Sequence, residues 1–144
     1  MVAPPFHVLA VEDESADAEF IQRIGAQNPL AASFRLLGSA EEARVYLDGD
    51  EPYNDRSRFP MPNLILLDLK LRRMSGLDLL RWIRQTPSLR SMPVVVLSGT
   101  ANHTDLNRAY ELGIDGYIVK SIDLKGLAET LSGVMVTLAS QRAG

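Results

Sequence analysis

The sequence predicts an α/β domain built on a doubly wound parallel sheet with helices on both faces. Five short apolar segments alternate along the chain with segments whose apolar residues recur at helical spacing, which is the order of repeated β-α units. The third apolar segment, "NLILLD" at 63–68, has no polar alternation, which indicates a strand buried on both faces. The chain has 144 residues, of which 46% are hydrophobic, so we expect a single domain over residues 1–144.

Each predicted strand is followed by a helical pattern. The predicted strands are 6–11, 33–38, 63–68, 93–98 and 116–120. The helical patterns are marked by Ala16, Phe20, Ile21 and Ile24; by Ala40, Ala43 and Leu47; by Leu77, Leu80 and Ile83; by the segment from Thr104 to Leu112; and by Leu124, Leu127, Leu131, Val134 and Leu138. Ser39 is the predicted N-cap of the second helix, which ends near Gly49, and Ser75 and Gly76 begin the third. The charged, proline-rich segment 48–62 is predicted to be a surface loop.

Composition excludes several classes of function. The net charge is only −3, so we expect no nucleic-acid partner. The chain has no cysteine, which excludes a disulfide framework and a thiolate metal site. Its first residues, "MVAPPFHVLAVEDE", lack the pattern of a signal peptide, and no segment approaches the roughly 18 consecutive apolar residues of a membrane span. We therefore expect a cytoplasmic protein with no membrane partner.

Charged and hydroxyl side chains stand at the ends of four predicted strands. Glu12 and Asp13 follow the first, Asp68 ends the third, Ser98 ends the fourth and Lys120 ends the fifth. Ligand sites of open parallel sheets lie at the carboxyl ends of the strands, so we expect these residues to converge. Three carboxylates in one pocket need a cation at neutral pH, and hard oxygen ligands suit Mg²⁺. With an ammonium and a hydroxyl alongside, an aspartate could accept a phosphoryl group as an acyl phosphate.

Four short motifs occur at these strand ends in a fixed order: "VED", "LILLDLKLRRMSG", "VVVLSG" and "GYIVK". Together they resemble the receiver domain of two-component response regulators, from about Phe6 to Leu138. The resemblance implies a flavodoxin-like five-stranded sheet of order 2-1-3-4-5. The charged segment before the third strand and "VEDESADAEFIQ" most resemble the stand-alone regulators of bacterial phytochrome histidine kinases. A sensor histidine kinase of the phytochrome type is therefore the partner that the resemblance implies.

The resemblance also implies the chemical roles of the residues at the strand ends. Asp68 matches the phosphoacceptor and, with Lys120, forms the catalytic pair. Glu12 and Asp13 match the acidic pair that holds Mg²⁺ together with Asp68 and the backbone carbonyl of Lys70.

Three positions match residues that respond to the phosphoryl group. Lys120 and Ser98 match the residues that bind its oxygen atoms, and Ser98 also matches the hydroxyl residue that moves on activation. Tyr117 matches the aromatic switch that changes rotamer when Ser98 is drawn inward.

Two positions depart from the receiver pattern. Ser121 stands where receivers usually carry a proline in a cis peptide, and Arg72 stands where they often carry a proline four residues after the phosphoacceptor. A cis bond before a residue other than proline costs about 3 kcal/mol, so the path of the chain after Lys120 is left open. Neither change removes a chemical group, and we still expect phosphorylation.

Other charged residues near the strand ends have structural interpretations. Glu14 and Asp17 precede a helical face, where acids stabilise the helix N-terminus through its dipole. Lys70, Arg72 and Arg73 form a basic patch, which we interpret as a solvated loop.

The expected function is a signalling switch rather than an enzyme. It would accept a phosphoryl group from a histidine kinase onto Asp68 and assist only its own phosphorylation and dephosphorylation. Only "ASQRAG" follows the last predicted helix, so output is expected to run through protein contacts. Met135 and Val136 lie beside the apolar stripe of that helix at heptad-like spacing, which leaves a homodimer open.

Two alternatives remain. A receiver-shaped scaffold that needs no phosphate is motivated by Ser121 and Arg72, and under it Asp68→Asn would leave partner binding unchanged. A phosphatase of the haloacid-dehalogenase type also forms an aspartyl phosphate. That family carries a second aspartate two residues after the nucleophile, where this chain has Lys70.

Overall fold

The computed structural model describes residues 6–99, 103–120 and 124–143. Within them, five strands alternate with five helices: β1 (Phe6–Val11), α1 (Ser15–Ala26), β2 (Ala31–Leu37), α2 (Ala40–Asp48), β3 (Leu64–Asp68), α3 (Gly76–Gln85), β4 (Val94–Ser98), α4 (His103–Glu111), β5 (Gly116–Val119) and α5 (Leu124–Ala143). All neighbouring strands are parallel, and their order in the sheet is β2-β1-β3-β4-β5. The predicted fold class and strand order are confirmed.

Apolar side chains cover both faces of the sheet, because alternate residues of a strand point to opposite sides. Helices α1 and α5 pack on one face, whose buried residues are Phe6, Val8, Ala10, Ile21, Ile24, Leu64, Leu66, Val95, Leu97, Ile118, Leu127, Leu131, Met135 and Leu138. Helices α2, α3 and α4 pack on the other, whose buried residues include Leu9, Val11, Leu37, Tyr46, Leu47, Ile65, Leu67, Leu80, Ile83, Val94, Val96 and Ala109. Every residue of β3 is buried, as the lack of polar alternation predicted.

Two side chains differ in burial from what the helical spacing predicted. Ala16 is exposed, because it lies in the first turn of α1, next to the edge of the sheet. Met135 is buried in the core, since it falls four residues after Leu131 and three before Leu138 in the same stripe. It therefore does not belong to an exposed dimer face, although the neighbouring Val136 is exposed.

The predicted helix ends have the expected capping interactions. The Ser39 hydroxyl accepts a hydrogen bond from the Glu42 N–H at 3.1 Å at the start of α2, and Gly49 ends that helix with a positive φ of 74°. Ser75 caps α3 in a reciprocal capping box with Asp78. The start of α3 is thereby fixed directly after the loop that leaves β3.

The segment between α2 and β3 contains no helix or strand and is a surface loop, as predicted. Aromatic side chains fasten it to the domain: the ring of Tyr53 lies 4.8 Å from that of Tyr46 and 5.1 Å from that of Phe59. The Arg56 guanidinium donates to the carbonyls of Leu47 and Phe59 at 3.2 Å each. The loop is therefore a packed part of the domain.

Gly133 offers a stabilising substitution in the middle of α5. A Cβ at this position would meet no atom within 4 Å, and glycine in a helix interior is less favourable than alanine. We expect Gly133→Ala to raise the free energy of unfolding by about 1 kcal/mol, measured by urea denaturation. Gly49→Ala is the matched control and should lower it, because its φ of 74° is strained for alanine. A loss of stability in Gly133→Ala would contradict the prediction.

Candidate functional site

The carboxyl edge of the sheet brings the predicted site residues to one place. Glu12 and Asp13 directly follow β1, Asp68 is the last residue of β3, Ser98 is the last of β4 and Lys120 follows β5. These four strands are neighbours in the sheet, so their ends meet side by side. The convergence follows from the strand order and requires no unusual loop.

Three carboxylates form a compact cluster at this edge. One carboxylate oxygen from each of Glu12, Asp13 and Asp68 lies within 4.8 Å of the others. Glu12 and Asp68 are buried, and Asp13 is half-buried. Carboxylates removed from water this close together repel one another unless positive charge is present.

The Lys120 ammonium supplies positive charge to this cluster. Its Nζ donates to Glu12 Oε1 at 2.7 Å, to Asp17 Oδ2 at 3.0 Å and to Asp68 Oδ2 at 3.1 Å. The Lys120 side chain is only 12% exposed, and its backbone N–H donates to the Ser98 carbonyl at 2.7 Å. The lysine is therefore fixed at both ends, and its three ammonium protons are each directed to a carboxylate.

The same contacts shift the pKa values of the buried partners. Burial raises the pKa of the Glu12 carboxyl to about 7, and the nearby Asp68 carboxylate adds to the rise, while the hydrogen bond from Lys120 opposes it. Burial alone would lower the pKa of the Lys120 ammonium, but its bonds to Glu12 and Asp17 and the charge of Asp68 hold it above the ordinary value. Lys120 is therefore charged throughout the neutral range, and the unfavourable effect of burial falls on the charged form of Glu12.

Asp17 is the functional contact that the sequence interpretation missed. The sequence predicts only a helix N-terminal role for Asp17, whereas the structure makes Glu14 the N-cap, with its Oε2 accepting from the Asp17 N–H at 2.8 Å. The Asp17 carboxylate instead accepts from Lys120, which lies 103 positions further along the chain. The available signal was its place in the first turn of the helix that leaves the acidic pair, which points a side chain back to the rim.

Arg72 provides an unexpected partner for Asp13 through its backbone. The Arg72 N–H donates to Asp13 Oδ2 at 2.7 Å, a bond that a proline at this position could not make. The Arg72 side chain lies 3.9 Å from the same oxygen but is 84% exposed, so water screens that ion pair. The side chain is solvated, as predicted, while the backbone of the same residue orients an acid of the cluster.

The other predicted site residues lie close by. The Lys70 N–H donates to Asp68 Oδ1 at 3.0 Å, so both oxygens of Asp68 are engaged. Ser98 is buried, and Tyr117 is half-buried against the core on the α3 and α4 side. The proposed ligation by the Lys70 carbonyl and the switch roles of Ser98 and Tyr117 stay predictions. Ser121 lies outside the described residues.

The pocket and its donors suit a small hard cation and an anionic group. A solvent-open pocket of about 460 Å³ is lined by Asp13, Asp17, Asp68, Lys70, Gly99 and Lys120. The carboxylates that line it, those of Asp13, Glu14, Asp17 and Asp68, are oxygen donors of the kind that Mg²⁺ and Mn²⁺ take. The pocket volume leaves room for a phosphoryl group and waters beside Asp68.

A parallel sheet of order 2-1-3-4-5, with an acidic cluster and a lysine at its carboxyl edge, defines a receiver domain. The chain belongs to the response regulator receiver domain family, whose model matches residues 8–132. It is therefore a component of two-component signalling, in which receiver domains partner with histidine kinases.

Known relatives place it near a particular group of regulators. Response regulator Rcp1 of Synechocystis sp. is 35% identical over 131 residues, which cover 91% of this chain and 87% of Rcp1. The phosphorylated cyanobacterial phytochrome response regulator RcpA superposes with a TM-score of 0.79 at 33% identity, over 90% of each chain. The Mn²⁺-bound form of Rcp1 superposes with a TM-score of 0.77 at 35% identity, over 90% of this chain and 91% of that one. The predicted likeness to phytochrome-linked regulators is confirmed.

The helices in the described part of the chain include none that combines the length and apolar character needed to cross a bilayer.

Proposed function

We propose that the chain is a phosphorylation-dependent switch in which Asp68 accepts a phosphoryl group from the phosphohistidine of a sensor histidine kinase. The observation that carries this proposal is the environment of Asp68. Its carboxylate is 6% exposed, lies 3.1 Å from the Lys120 ammonium and opens onto the acidic pocket. Burying several carboxylates around a single ammonium is costly for stability alone, so the presence of this cluster supports a chemical role.

The transfer balances without a proton donor on this chain. An Asp68 carboxylate oxygen attacks phosphorus, the bond from phosphorus to the imidazole nitrogen breaks, and its electron pair stays on that nitrogen. Lys120 would then contact the phosphoryl oxygens and neutralise part of their charge. Mg²⁺, held by Glu12, Asp13, Asp68 and the Lys70 carbonyl, would supply further neutralisation when bound.

The phosphatase alternative receives no support at the site. A general acid is required two residues after the nucleophile, and Lys70 occupies that position with an exposed side chain. We therefore propose that the chain acts on no substrate other than its own phosphoryl group. The similarity to Rcp1 and RcpA supports a kinase of the phytochrome type as the donor.

We further propose that output runs through protein contacts of the surface formed by α4, β5 and α5. Tyr110 of α4 is 54% exposed, so it presents an apolar group to a partner. Ser98 and Tyr117 lie at the edges of the same region and would couple it to Asp68. Size-exclusion chromatography with and without a phosphodonor distinguishes contacts with a different protein from a homodimer.

The test of the proposed function is direct phosphorylation by a small donor. We expect acetyl phosphate to add one phosphate-sized mass to the intact protein when Mg²⁺ is present, and we expect no gain with a chelator. Asp68→Asn should abolish the gain, because an amide is not a nucleophile for phosphorus. Asp48→Asn is the matched control, since Asp48 is an exposed acid at the end of α2.

A folded protein that gains no mass from acetyl phosphate or from a panel of histidine kinases would contradict the proposal. In that case the phosphate-independent scaffold becomes the better interpretation, with Asp68→Asn expected to leave partner binding unchanged.

A further inference from the structure

Asp17 has a contact that the roles assigned so far do not use. We infer that Asp17 is a positioning residue for phosphoryl transfer, whose carboxylate keeps the Lys120 ammonium from moving inward into the cluster of Glu12 and Asp68. This inference rests on the proposed function, because Lys120 is the residue through which Asp17 would act.

The three carboxylates around the Lys120 ammonium differ in their surroundings. The Glu12 side chain is fully buried and that of Asp68 is 6% exposed, whereas that of Asp17 is 43% exposed. Glu12 and Asp68 therefore attract the ammonium toward the interior, and Asp17 attracts it toward the mouth of the pocket. With all three bonds in place, at 2.7, 3.0 and 3.1 Å, the ammonium is held between these positions.

Removing the outer carboxylate should let the ammonium move inward. Glu12 and Asp68 would then share the lysine alone, and their attraction would draw it into the acid cluster. In that position the ammonium would occupy space that the phosphoryl group and Mg²⁺ need. It would also no longer point at the phosphoryl oxygens. Asp17 thus prevents Lys120 from blocking the cluster that it neutralises.

The role of Asp17 is separable from helix capping. The cap of α1 is provided by the Glu14 side chain, which accepts from the Asp17 backbone N–H. The Asp17 side chain is therefore not needed for that bond. Its substitution by asparagine keeps the backbone, the size and a weaker acceptor, and removes only the charge that attracts Lys120.

The first experiment compares Asp17→Asn with Glu19→Gln in the full chain. Both substitutions remove one negative charge from α1, but Glu19 is an exposed residue that pairs with Arg23. We expect Asp17→Asn to slow phosphorylation by acetyl phosphate about tenfold, because small displacements of a positioned group have large effects on rate. Glu19→Gln should stay within about twofold of the parent protein, as expected for a distant surface site.

A double-mutant cycle tests whether Asp17 acts through Lys120. In a Lys120→Met background, Asp17→Asn should change the rate by less than about twofold, because the group that Asp17 positions is gone. An equal loss in both backgrounds, or no loss in the parent, would overturn the inference.

Nuclear magnetic resonance of ¹⁵N-labelled lysine gives a readout that does not depend on phosphorylation. The Lys120 ammonium, assigned with Lys120→Met, should exchange its protons slowly in the parent and in Glu19→Gln. In Asp17→Asn its resonance should shift or broaden. An unchanged resonance would overturn the positioning role even if Asp68 proved not to accept phosphate, so the two failures are distinguishable.

Discussion

Lys120→Met is expected to lower the free energy of unfolding by about 3 kcal/mol at neutral pH without divalent cations, the scale for removing one partner of a buried ion pair. Methionine keeps most of the side-chain volume but leaves Glu12 and Asp68 buried with no ammonium within hydrogen-bonding distance. In the parent these carboxylates lie 2.7 and 3.1 Å from Nζ. The lost free energy of unfolding therefore measures the cost of keeping the Glu12 and Asp68 carboxylates buried together without the Lys120 ammonium.

The effect of Lys120→Met should depend on pH in a defined direction. In the folded parent the pKa of Glu12 is about 7, above its ordinary value of 4.5, so the folded state binds more protons than the unfolded state in that interval. The stability associated with Glu12 therefore falls as the pH rises from about 4.5 to about 7. Without the opposing bond from Lys120 the pKa of Glu12 rises further, so the part of the deficit that Glu12 causes should be small below about pH 7, where the folded parent and variant both carry a protonated Glu12, and should grow as the pH rises above about 7.

Urea denaturation followed by circular dichroism at several pH values measures this deficit. Lys125→Met is the matched control, because Lys125 is exposed at the start of α5 and its loss should cost less than about 0.5 kcal/mol. Mg²⁺ should return part of the stability that Lys120→Met loses, through preferential binding to the folded state. If Lys120→Met lowered the free energy of unfolding no more than Lys125→Met does, the buried carboxylates of Glu12 and Asp68 would not depend on the Lys120 ammonium for stability.

The fold was predictable because its signals are local. Apolar runs such as 63–68 mark buried strands, and Ser39, Gly49 and Ser75 mark helix ends through side-chain and backbone chemistry that acts within a few residues. The order of the strands required more than periodicity and came from the joint pattern of motifs. Strand β2 begins two residues earlier than predicted, at Ala31, because its half-exposed edge position gives a weaker apolar signal.

The site was predictable only where strand ends determine it. Glu12, Asp13, Asp68 and Lys120 converge because parallel strands share one carboxyl edge. The Asp17 contact with Lys120 depends on the direction in which α1 leaves that edge, and the Arg72 bond to Asp13 depends on the path of the β3–α3 loop. Neither is set by local spacing, so partners 103 and 59 positions apart were not visible in the sequence.

Gly76→Ala is expected to disturb stability and phosphorylation together. A Cβ on Gly76 would collide with the Asp68 carbonyl oxygen and lie 2.6 Å from the Leu69 Cα, and these backbone atoms cannot rotate away. The Gly76 N–H also donates to the Leu69 carbonyl at 3.0 Å, so α3 begins in contact with the end of β3. Alanine must push the two apart, at a cost of about 3 kcal/mol, near the upper end for an overpacked site.

The displacement caused by Gly76→Ala would fall on the residue that carries the proposed chemistry. We expect phosphorylation by acetyl phosphate to slow about tenfold, since Asp68 would shift relative to Lys120. Intact mass measured over time gives the rate, and urea denaturation gives the stability. Gly133→Ala is the matched control, because it makes the same chemical change in α5, where a Cβ meets no atom within 4 Å. It should raise the free energy of unfolding and leave the phosphorylation rate unchanged. Parent-like values for Gly76→Ala in both measurements would mean that α3 can move away from β3 freely, and that the close contact at Gly76 does not position Asp68.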